Sequence, residues 1–292
     1  MMHRLFYFLL GIGVLLANKV RYGLAGYRTP RPFKVTEIAR VIDYDQRVVE
    51  KWTHYLQDCM GDERVFAGKS ILELGPGADL GIGLLLMVAG AARYAALDVT
   101  DLALQAPPDL YDQLIHGLPE ARRSTARAAL DDLRTGTGRQ IQFVCDPDFS
   151  LRHWPDSEFD LVVSHASFQL FEDVDRVLTE TADLLRPGGI LCAHVDTSTQ
   201  TGLLRKRDPL SIYRYPPALW NRLRFRGAPN RVRPSQYERC LGRAGFHGIQ
   251  VLPHVTMDRE TLARVRGGLA RPFRTDESAM EVLEFNLLAT RS

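Results

Sequence analysis

The sequence predicts an α/β fold, with a doubly wound and mostly parallel sheet of seven strands whose last strand is antiparallel. From Ser70 onward, short apolar runs alternate with segments of helical periodicity. This alternation is typical of parallel strands joined by right-handed helical crossovers. The last two apolar runs are separated by a polar stretch that does not read as a crossover helix, which favours an antiparallel pair at the edge of the sheet.

Seven strands are expected, and each is an apolar run bounded by turn residues or by a helical segment. In chain order they are SILEL (70–74), YAALD (94–98), QIQFVC (140–145), FDLVVSH (159–165), ILCAHV (190–195), GIQVLPHV (248–255) and VLEFNLLAT (282–290). Helices are expected between the first and second, the second and third, and the fourth and fifth strands, and again before the sixth. The longest of these connections, residues 101–139, contains turn signals at Pro107-Pro108 and at Gly136.

The composition is that of an ordinary globular protein. The chain has 292 residues, of which 45% are hydrophobic and 25% charged, and a formal net charge of +2. These values exclude a disordered chain and fit one large domain. The four cysteines form no Cys-x-x-Cys pair and no Cys/His cluster with zinc spacing, so we expect buried thiols, a reducing compartment and no metal site.

The N-terminus carries an uncharged apolar run from Leu5 to Ala17. This run is shorter than the roughly 20 residues that a membrane-spanning helix needs. More basic residues follow it than precede it, which keeps the rest of the chain on the cytoplasmic side. We therefore expect residues 1–21 to form an uncleaved anchor, either spanning or interfacial. The alternatives are a signal peptide, although the site around Ala17 is a poor cleavage site, and a hydrophobic helix packed on the domain or on a partner.

The remaining chain divides by composition. Residues 22–35 are expected to be a linker, because the closely spaced prolines of YRTPRPFK forbid regular structure. Residues 36–64 have helical apolar spacing and are expected to form an N-terminal helical cap. Residues 65–292 form the predicted main domain, with insertions at 101–139 and 198–235.

The run ILELGPGADL (71–80) places a glycine turn between the first strand and the following helix. Gly75 and Gly77 allow a ligand to approach the backbone, and the helix that follows offers free N–H groups. A dinucleotide fingerprint requires a third glycine where this chain has Leu80, which weakens the reading as a nicotinamide-dependent oxidoreductase. The carboxylate of Glu73 disfavours a pyrophosphate but suits an amine. Asp98, at the end of the second strand, is placed for two ribose hydroxyls, so the turn favours a nucleoside with a cationic tail.

Four stretches in this order resemble the class I S-adenosylmethionine-dependent methyltransferase family, of the type 11/12 kind. They are ILELGPGADLG, YAALDV, FVCDPDFSLRHWPDSEFDLVVSHASFQLFEDVDRVLTETADLLRPGGIL and LEFNLLAT. The resemblance covers roughly residues 65–195 and 235–292. It implies a Rossmann-like fold and S-adenosylmethionine as the cofactor.

The resemblance also implies roles for individual residues. Glu73, Gly75 and Gly77 would form the loop under the methionine moiety, and Asp98 would hold the ribose hydroxyls. Further cofactor and acceptor contacts would come from the ends of the second, third and fourth strands: Val99 packing on the adenine, Asp146 bonding its amino group, and Ser164 and His165 facing the methionine end and the acceptor. The chain departs from the family after Asp146, where PDFSLRHWP replaces the common Ala-Glu-x-Leu-Pro. Each of these residues also has a purely structural alternative as a turn, cap or strand-end residue.

A hydroxyl acceptor benefits from a general base, and histidine is the natural choice near neutral pH. His165 is the favoured candidate because it follows the fourth strand, with His194 near Asp196 as the alternative. The acceptor site is expected to come from residues 36–56, 101–139 and 198–235. The last segment carries nine basic residues against the single acid Asp208. Its alternative role is a solvated basic loop.

We therefore expect a methyltransferase that O-methylates a small-molecule, glycan or lipid-linked acceptor, anionic in character, near the inner membrane face. The basic segment and the apolar N-terminus favour this location. Nucleic acid ranks lower because no nucleic-acid-binding module is present. The alternative is a catalytically silent cofactor-binding scaffold of a membrane-associated biosynthetic complex. No feature of the sequence indicates the oligomeric state.

Overall fold

A computed structural model describes residues 2–26 and 33–292 of the chain. Its centre is one seven-stranded sheet with the order β3-β2-β1-β4-β5-β7-β6. The strands are β1 (Ser70–Leu74), β2 (Arg93–Asp98), β3 (Ile141–Cys145), β4 (Phe159–His165), β5 (Leu185–Asp196), β6 (Phe246–Thr256) and β7 (Val282–Arg291). Strands β1 to β5 pair in parallel, and β7 runs antiparallel to both of its neighbours. The predicted α/β, Rossmann-like fold class is confirmed.

Ten α-helices flank this sheet in the described part of the chain. They are α1 (Met2–Ala25), α2 (Ile38–Met60), α3 (Gly81–Val88), α4 (Pro108–Gly117), α5 (Glu120–Thr135), α6 (Val174–Leu184), α7 (Gly202–Arg205), α8 (Pro217–Leu223), α9 (Pro234–Arg243) and α10 (Arg259–Arg266). The turn signals within residues 101–139 mark real boundaries, because α4 starts on Pro108 and α5 ends at the left-handed Gly136.

Consecutive strand residues point to opposite faces of the sheet and so feed two separate apolar cores. Ile71 packs in one core with the helices α2 to α5, and its neighbour Leu72 packs in the other with α6 and α9. The predicted antiparallel pair of the last two strands at the sheet edge is confirmed, with β7 lying between β5 and β6. Insertion of β7 beside β5 gives it two partners, so β6 is the edge strand.

A third apolar core lies outside the sheet and joins α1 to the segment 198–235. Leu15 of α1 is buried there with Tyr213, Tyr215 and Trp220. These aromatic residues of segment 198–235, which was expected to help form the acceptor site, are therefore core residues packed in the same cluster as α1. In the described part of the chain, α1 is the one helix long and apolar enough to cross a membrane, and only 11% of its apolar window is buried.

Two element boundaries and the burial of the cysteines differ from the sequence-based expectation. The fifth strand starts at Leu185 and runs through the Pro-Gly-Gly turn, because Leu185 already pairs with Phe159. Helix α1 continues to Ala25, while residues 27–32 of the predicted linker lie outside the described residues. Of the four thiols expected to be buried, only Cys192 is buried; Cys59 and Cys145 are exposed and Cys240 is half-buried. Cys145 ends the edge strand β3. The domain boundaries inferred from the sequence stay predictions.

Candidate functional site

A cavity of about 720 Å³ lies over the carboxyl ends of β1, β2 and β4. Its volume is within the roughly 300–1,000 Å³ of small-molecule sites. Ligands of open parallel sheets bind at this edge, where the strand order reverses on either side of β1. Of the residues predicted from the sequence to form the site, five line the cavity: Gly75, Gly77, Asp98, Val99 and His165.

The glycine turn has the backbone conformation that its sequence predicts. Gly75 and Gly77 have φ values of +77° and +83°, a region that side chains disfavour. A Cβ atom on Gly75 would lie 2.3 Å from the Ser167 hydroxyl oxygen, and that hydroxyl donates to the Gly75 carbonyl at 3.1 Å. The loop after β4 therefore packs directly on the turn, and only glycine fits at position 75.

Asp98 is joined to the glycine turn by a hydrogen bond. Its Oδ2 accepts from the Gly77 N–H at 3.0 Å, and its Oδ1 accepts from the Thr100 N–H at 3.1 Å. Burial raises the pKa of this carboxyl, although the hydrogen bonds from Thr100 and Gly77 oppose the shift. The side chain is 6% exposed and lines the cavity. The turn and the end of β2 thus present one fixed polar edge to a ligand.

Three predicted site residues do not line the cavity. Glu73 is 1% exposed and accepts from the Tyr94 hydroxyl at 2.5 Å, on the side of the sheet that faces α3. Ser164 is fully buried and donates to the Leu74 carbonyl at 2.9 Å, which ties β4 to β1. Asp146 contacts His153 Nε2 at 2.7 Å and accepts from the Asp148 N–H. Here the three side chains support the strand ends and do not contact the open space.

Glu73 belongs to a group of buried acids behind the turn. Asp79 is 1% exposed and accepts from the Gly81 N–H at 2.9 Å, at the start of α3. Asp45 of α2 is fully buried, and its carboxylate also lies beside Gly81. Burial, followed by the charge of Glu73, raises the pKa of Tyr94 well above its usual range. These acids thus join the turn to β2 and to the start of α3.

His165 stands in a column of rings between the cap and the sheet. Its ring stacks on His194 with centroids 4.6 Å apart and planes 16° apart, and Tyr44 of α2 meets its other side at 5.7 Å. His194 itself lies between Asn286 Oδ1 at 3.1 Å and Glu284 Oε2 at 3.4 Å. Glu284 also pairs with Arg205 at 2.8 Å. The hydrogen bond with His194 is the main reason why the pKa of Glu284 is lowered.

Residues 72–193 match the family model described as "Methyltransferase domain". The chain contains a methyltransferase domain of the S-adenosylmethionine-dependent class. Its cofactor is accordingly S-adenosylmethionine, and it is an enzyme of the methyl-transferring kind. No curated protein matches the sequence.

Solved structures resemble the methyltransferase domain at low sequence identity. An S-adenosylmethionine-dependent methyltransferase from Mesorhizobium loti is 20% identical, with 77% of this chain and 92% of that chain covered and a TM-score of 0.46. Phosphoethanolamine N-methyltransferase 2 from Haemonchus contortus is 13% identical, with 82% and 52% covered and a TM-score of 0.45. The [4+2]-cyclase SpnF is 17% identical, with 84% and 82% covered and a TM-score of 0.47. None of these likenesses bears on the acceptor of this chain.

Fewer residues of the segments expected to form the acceptor site line the cavity than the sequence suggests. Tyr44 lines the cavity, but Trp52 is a buried core residue and Tyr55 packs beside it. None of residues 101–139 lines the cavity, because α4 and α5 pack against α2 and α3 on one face of the sheet. From the segment 198–235, Arg226 and Gly227 reach the cavity, and Gly26 reaches it from the end of α1.

The basic residues of segment 198–235 divide into two sets. Arg205 and Arg214 form ion pairs, with Asp196 and Asp208 respectively. Arg231 and Arg233 are buried and donate to backbone carbonyls, including Tyr215 O and Ser278 O. The exposed members of the segment are Lys206, Arg207, Arg222, Arg224 and Arg226. The segment is therefore neither one continuous basic binding surface nor a solvated loop, since close to half of its cationic side chains stabilise the fold.

Several cavity residues were not found by sequence reasoning. Phe149 and Ala166 line it with φ values of 51° and 57°, a conformation that non-glycine residues seldom adopt. Arg176 lines it as well and donates to the carbonyls of Asp148 and Phe149, which holds the loop after β3. No residue type marks these positions, because backbone conformation and a contact from α6 bring them to the site.

Proposed function

We propose that this protein transfers the methyl group of S-adenosylmethionine to an oxygen atom of a small-molecule, glycan or lipid-linked acceptor close to a membrane. One observation carries the proposal: Asp98 and His165 line the same cavity, from two different strand ends. A nucleoside donor held at Asp98 and a proton acceptor at His165 therefore share one space.

The proposed donor site is built on the glycine turn. The Gly75–Gly77 backbone would lie against the methionine moiety, Asp98 would accept from the ribose hydroxyls, and Val99 would pack on the adenine. The buried acids Asp45, Glu73 and Asp79 would support this turn from behind, since none of them lines the cavity. Asp146 would bond the adenine amino group with lone pairs of its carboxylate that its contacts with His153 and Asp148 leave available. Ser164 would act indirectly, by fixing the end of β4.

The reaction is an in-line displacement at the methyl carbon. The acceptor oxygen forms a bond to that carbon while the carbon–sulfur bond breaks, and the electron pair of the broken bond stays on the sulfur of S-adenosylhomocysteine. The acceptor proton passes to an imidazole nitrogen of His165. The protein's part is to align the two reacting atoms, exclude water and receive the proton.

His194 and Glu284 are proposed to position the base. The His194 ring is 5% exposed and stacks on His165, so it fixes the plane of the catalytic ring. Glu284 holds the far side of His194, and Arg205 holds Glu284. Neither His194 nor Glu284 lines the cavity, so both would act through His165.

The acceptor is proposed to carry negative charge. Arg226 lines the cavity, is 64% exposed at its side chain, and meets its nearest acid, Asp148, at 3.7 Å. A cytoplasmic location at the inner membrane face is proposed with α1 as the membrane contact. A nucleic acid acceptor ranks lower because the sequence contains no nucleic-acid-binding module.

Two experiments test the proposal. The first is calorimetric titration of S-adenosylmethionine and S-adenosylhomocysteine. The second measures transfer of a labelled methyl group to panels of hydroxylated, glycosidic and lipid-linked acceptors. Binding with turnover on an oxygen acceptor, lost in His165→Ala, is the expected result. Binding without turnover on any panel would favour the cofactor-binding scaffold. Absence of binding by a folded chain would overturn both.

A further inference from the structure

The outer face of α1 carries a continuous apolar stripe. Of the eight large apolar side chains that are exposed in the described part of the chain, six lie on this helix. At 3.6 residues per turn they fall within an arc of about 100° along the whole helix. The stripe consists of Leu5, Phe6, Leu9, Leu16, Val20 and Leu24, which are 47% to 86% exposed.

The opposite face of α1 is attached to the domain along most of its length. Near the start, Arg207 donates to the Tyr7 hydroxyl at 2.9 Å, and the Phe8 and Tyr215 rings meet at 5.1 Å. In the middle, Gly11 leaves room for Tyr215, whose hydroxyl oxygen would lie 2.0 Å from a Cβ atom there.

The C-terminal half of α1 is attached in the same way. Lys19 Nζ donates to the Arg222 carbonyl at 2.7 Å, and the Tyr22 ring stacks on Phe225 at 4.8 Å. A helix that spans a bilayer would carry these partners with it. Arg207, beside the start of α1, and Arg222, beside its C-terminal half, would then enter the hydrocarbon region of the bilayer. This is unfavourable for charged side chains.

Basic residues beside the apolar stripe indicate what kind of surface covers the stripe. Lys19 and Arg21 are exposed and lie on either side of the stripe, and α1 contains no acidic residue. Arg222 and Arg224 are exposed at the adjoining end of α8. A second copy of this helix would bring like charges together, whereas anionic lipid would neutralise them.

We propose that α1 is an interfacial helix that seats the protein on an anionic membrane surface through the stripe, with the helix axis in the membrane plane. This deepens the membrane location in the proposed function, yet it rests on the α1 surface and not on methyl transfer. The helix length of about 30 Å from Leu5 to Leu24 then lies along the bilayer rather than across it.

Flotation of the full chain with vesicles tests the proposal. We expect binding to mixed phosphatidylcholine and phosphatidylglycerol vesicles, weaker binding to phosphatidylcholine alone, and weakening by salt. The triple variant Leu9→Asn, Leu16→Asn, Val20→Asn should bind roughly tenfold or more weakly, since each loses apolar area at the surface. The matched control is Leu104→Asn, which changes a 59% exposed leucine away from α1 and should bind like the parent.

Two further experiments decide whether α1 lies on the membrane or spans it, and what covers its apolar stripe. Membranes from cells that express the chain should release it in alkaline carbonate; retention in the pellet would overturn the interfacial position in favour of a spanning helix. A dimer in analytical ultracentrifugation that the triple variant abolishes, without vesicle binding by the parent, would make a second copy the occupant. Cofactor titration of the same samples reports separately on the proposed function, so the two failures are distinguishable.

Discussion

The Gly77 N–H donates a hydrogen bond at 3.0 Å to Oδ2 of Asp98, so the glycine turn and the end of β2 form one unit. The Asp98 carboxyl is buried, and burial raises its pKa above the usual value of an aspartate. For an acid, a raised folded pKa means that the folded state prefers the protonated form. The associated stability is present below the unfolded pKa of 3.8 and is lost as pH rises through the folded pKa.

Asp98→Asn is therefore expected to unfold at the same or a higher temperature than the parent at neutral pH without cofactor. The same variant should bind S-adenosylmethionine about ten- to a hundredfold more weakly, because hydrogen bonds to a charged group contribute about 1.5–3 kcal/mol. Calorimetry and thermal unfolding measure the two effects. Asp101→Asn, an exposed neighbour, should change neither, and equal loss of stability and affinity in Asp98→Asn would contradict the prediction.

His165→Ala should lower kcat by about 10²–10⁴ and leave the Kd of S-adenosylhomocysteine within about twofold, because a general base acts on the acceptor proton and not on the donor. Steady-state kinetics and calorimetry separate the two quantities. His247→Ala changes an exposed histidine of β6 and serves as the control. A variant of His165 with full activity would remove it from the mechanism.

Glu284→Gln tests whether Glu284 holds the His194 ring, on which the His165 ring stacks. The pKa of Glu284 is lowered by the hydrogen bond with His194 and by the charges of His194 and Arg205. Its contribution to stability is therefore present above the unfolded pKa of 4.5 and is lost as pH falls through the lower folded value.

At pH 7 the Glu284→Gln variant should be less stable by about 1–2 kcal/mol, and the difference should shrink below pH 4.5. Its kcat should fall while KM for the donor stays the same, since the His165 ring loses its fixed plane. Denaturant unfolding across pH, with Glu281→Gln as the control, checks the sign. A stability difference that grows on acidification would contradict it.

Gly75→Ala should destabilise the domain by about 1–3 kcal/mol, because residue 75 has φ +77° and its Cβ would meet the Ser167 hydroxyl. Adding Ser167→Gly removes that contact but keeps the backbone strain, so it should restore part of the loss. Gly117→Ala is the control, with nothing within 4 Å of its Cβ. Denaturant midpoints measure all three.

Arg226→Glu should raise KM for an anionic acceptor about tenfold and leave the Kd of the donor unchanged, because the side chain lines the cavity near Asp148. Arg239→Glu, at an exposed residue of α9 outside this cavity, is the matched control. An equal rise in acceptor KM in the two variants would mean that the overall charge of the protein, and not the position of Arg226, causes the effect. A weaker Kd for the donor in either variant would mean the same.

The strand pattern and the glycine turn were predictable because both follow from local rules. Alternation of apolar residues placed the strands, and glycine at 75 and 77 is required by φ at those positions. Asp98 could be found as well, since the carboxyl end of a parallel strand points to the ligand edge. The helices within 101–139 followed from Pro108 and Gly136.

The parts that local sequence rules do not reveal depend on contacts between distant segments. Nothing local distinguishes Arg233, which donates to Thr197 and to carbonyls near β7, from the exposed Arg224. In the same way, Glu73 and Ser164 satisfy a motif but bond to Tyr94 and Leu74 away from the cavity. Burial by α1 converts Tyr215 and Trp220 from apparent ligand contacts into core residues.

Gly26 lines the cavity only two residues after Leu24, the last member of the apolar stripe on α1. With α1 seated on a lipid surface, the active site opens beside a two-dimensional reservoir. An acceptor confined to the same leaflet would reach His165 by lateral diffusion, at an effective concentration set by its surface density. Turnover would then follow the mole fraction of acceptor in the membrane rather than its amount per volume, and dilution with inert lipid would act as inhibition.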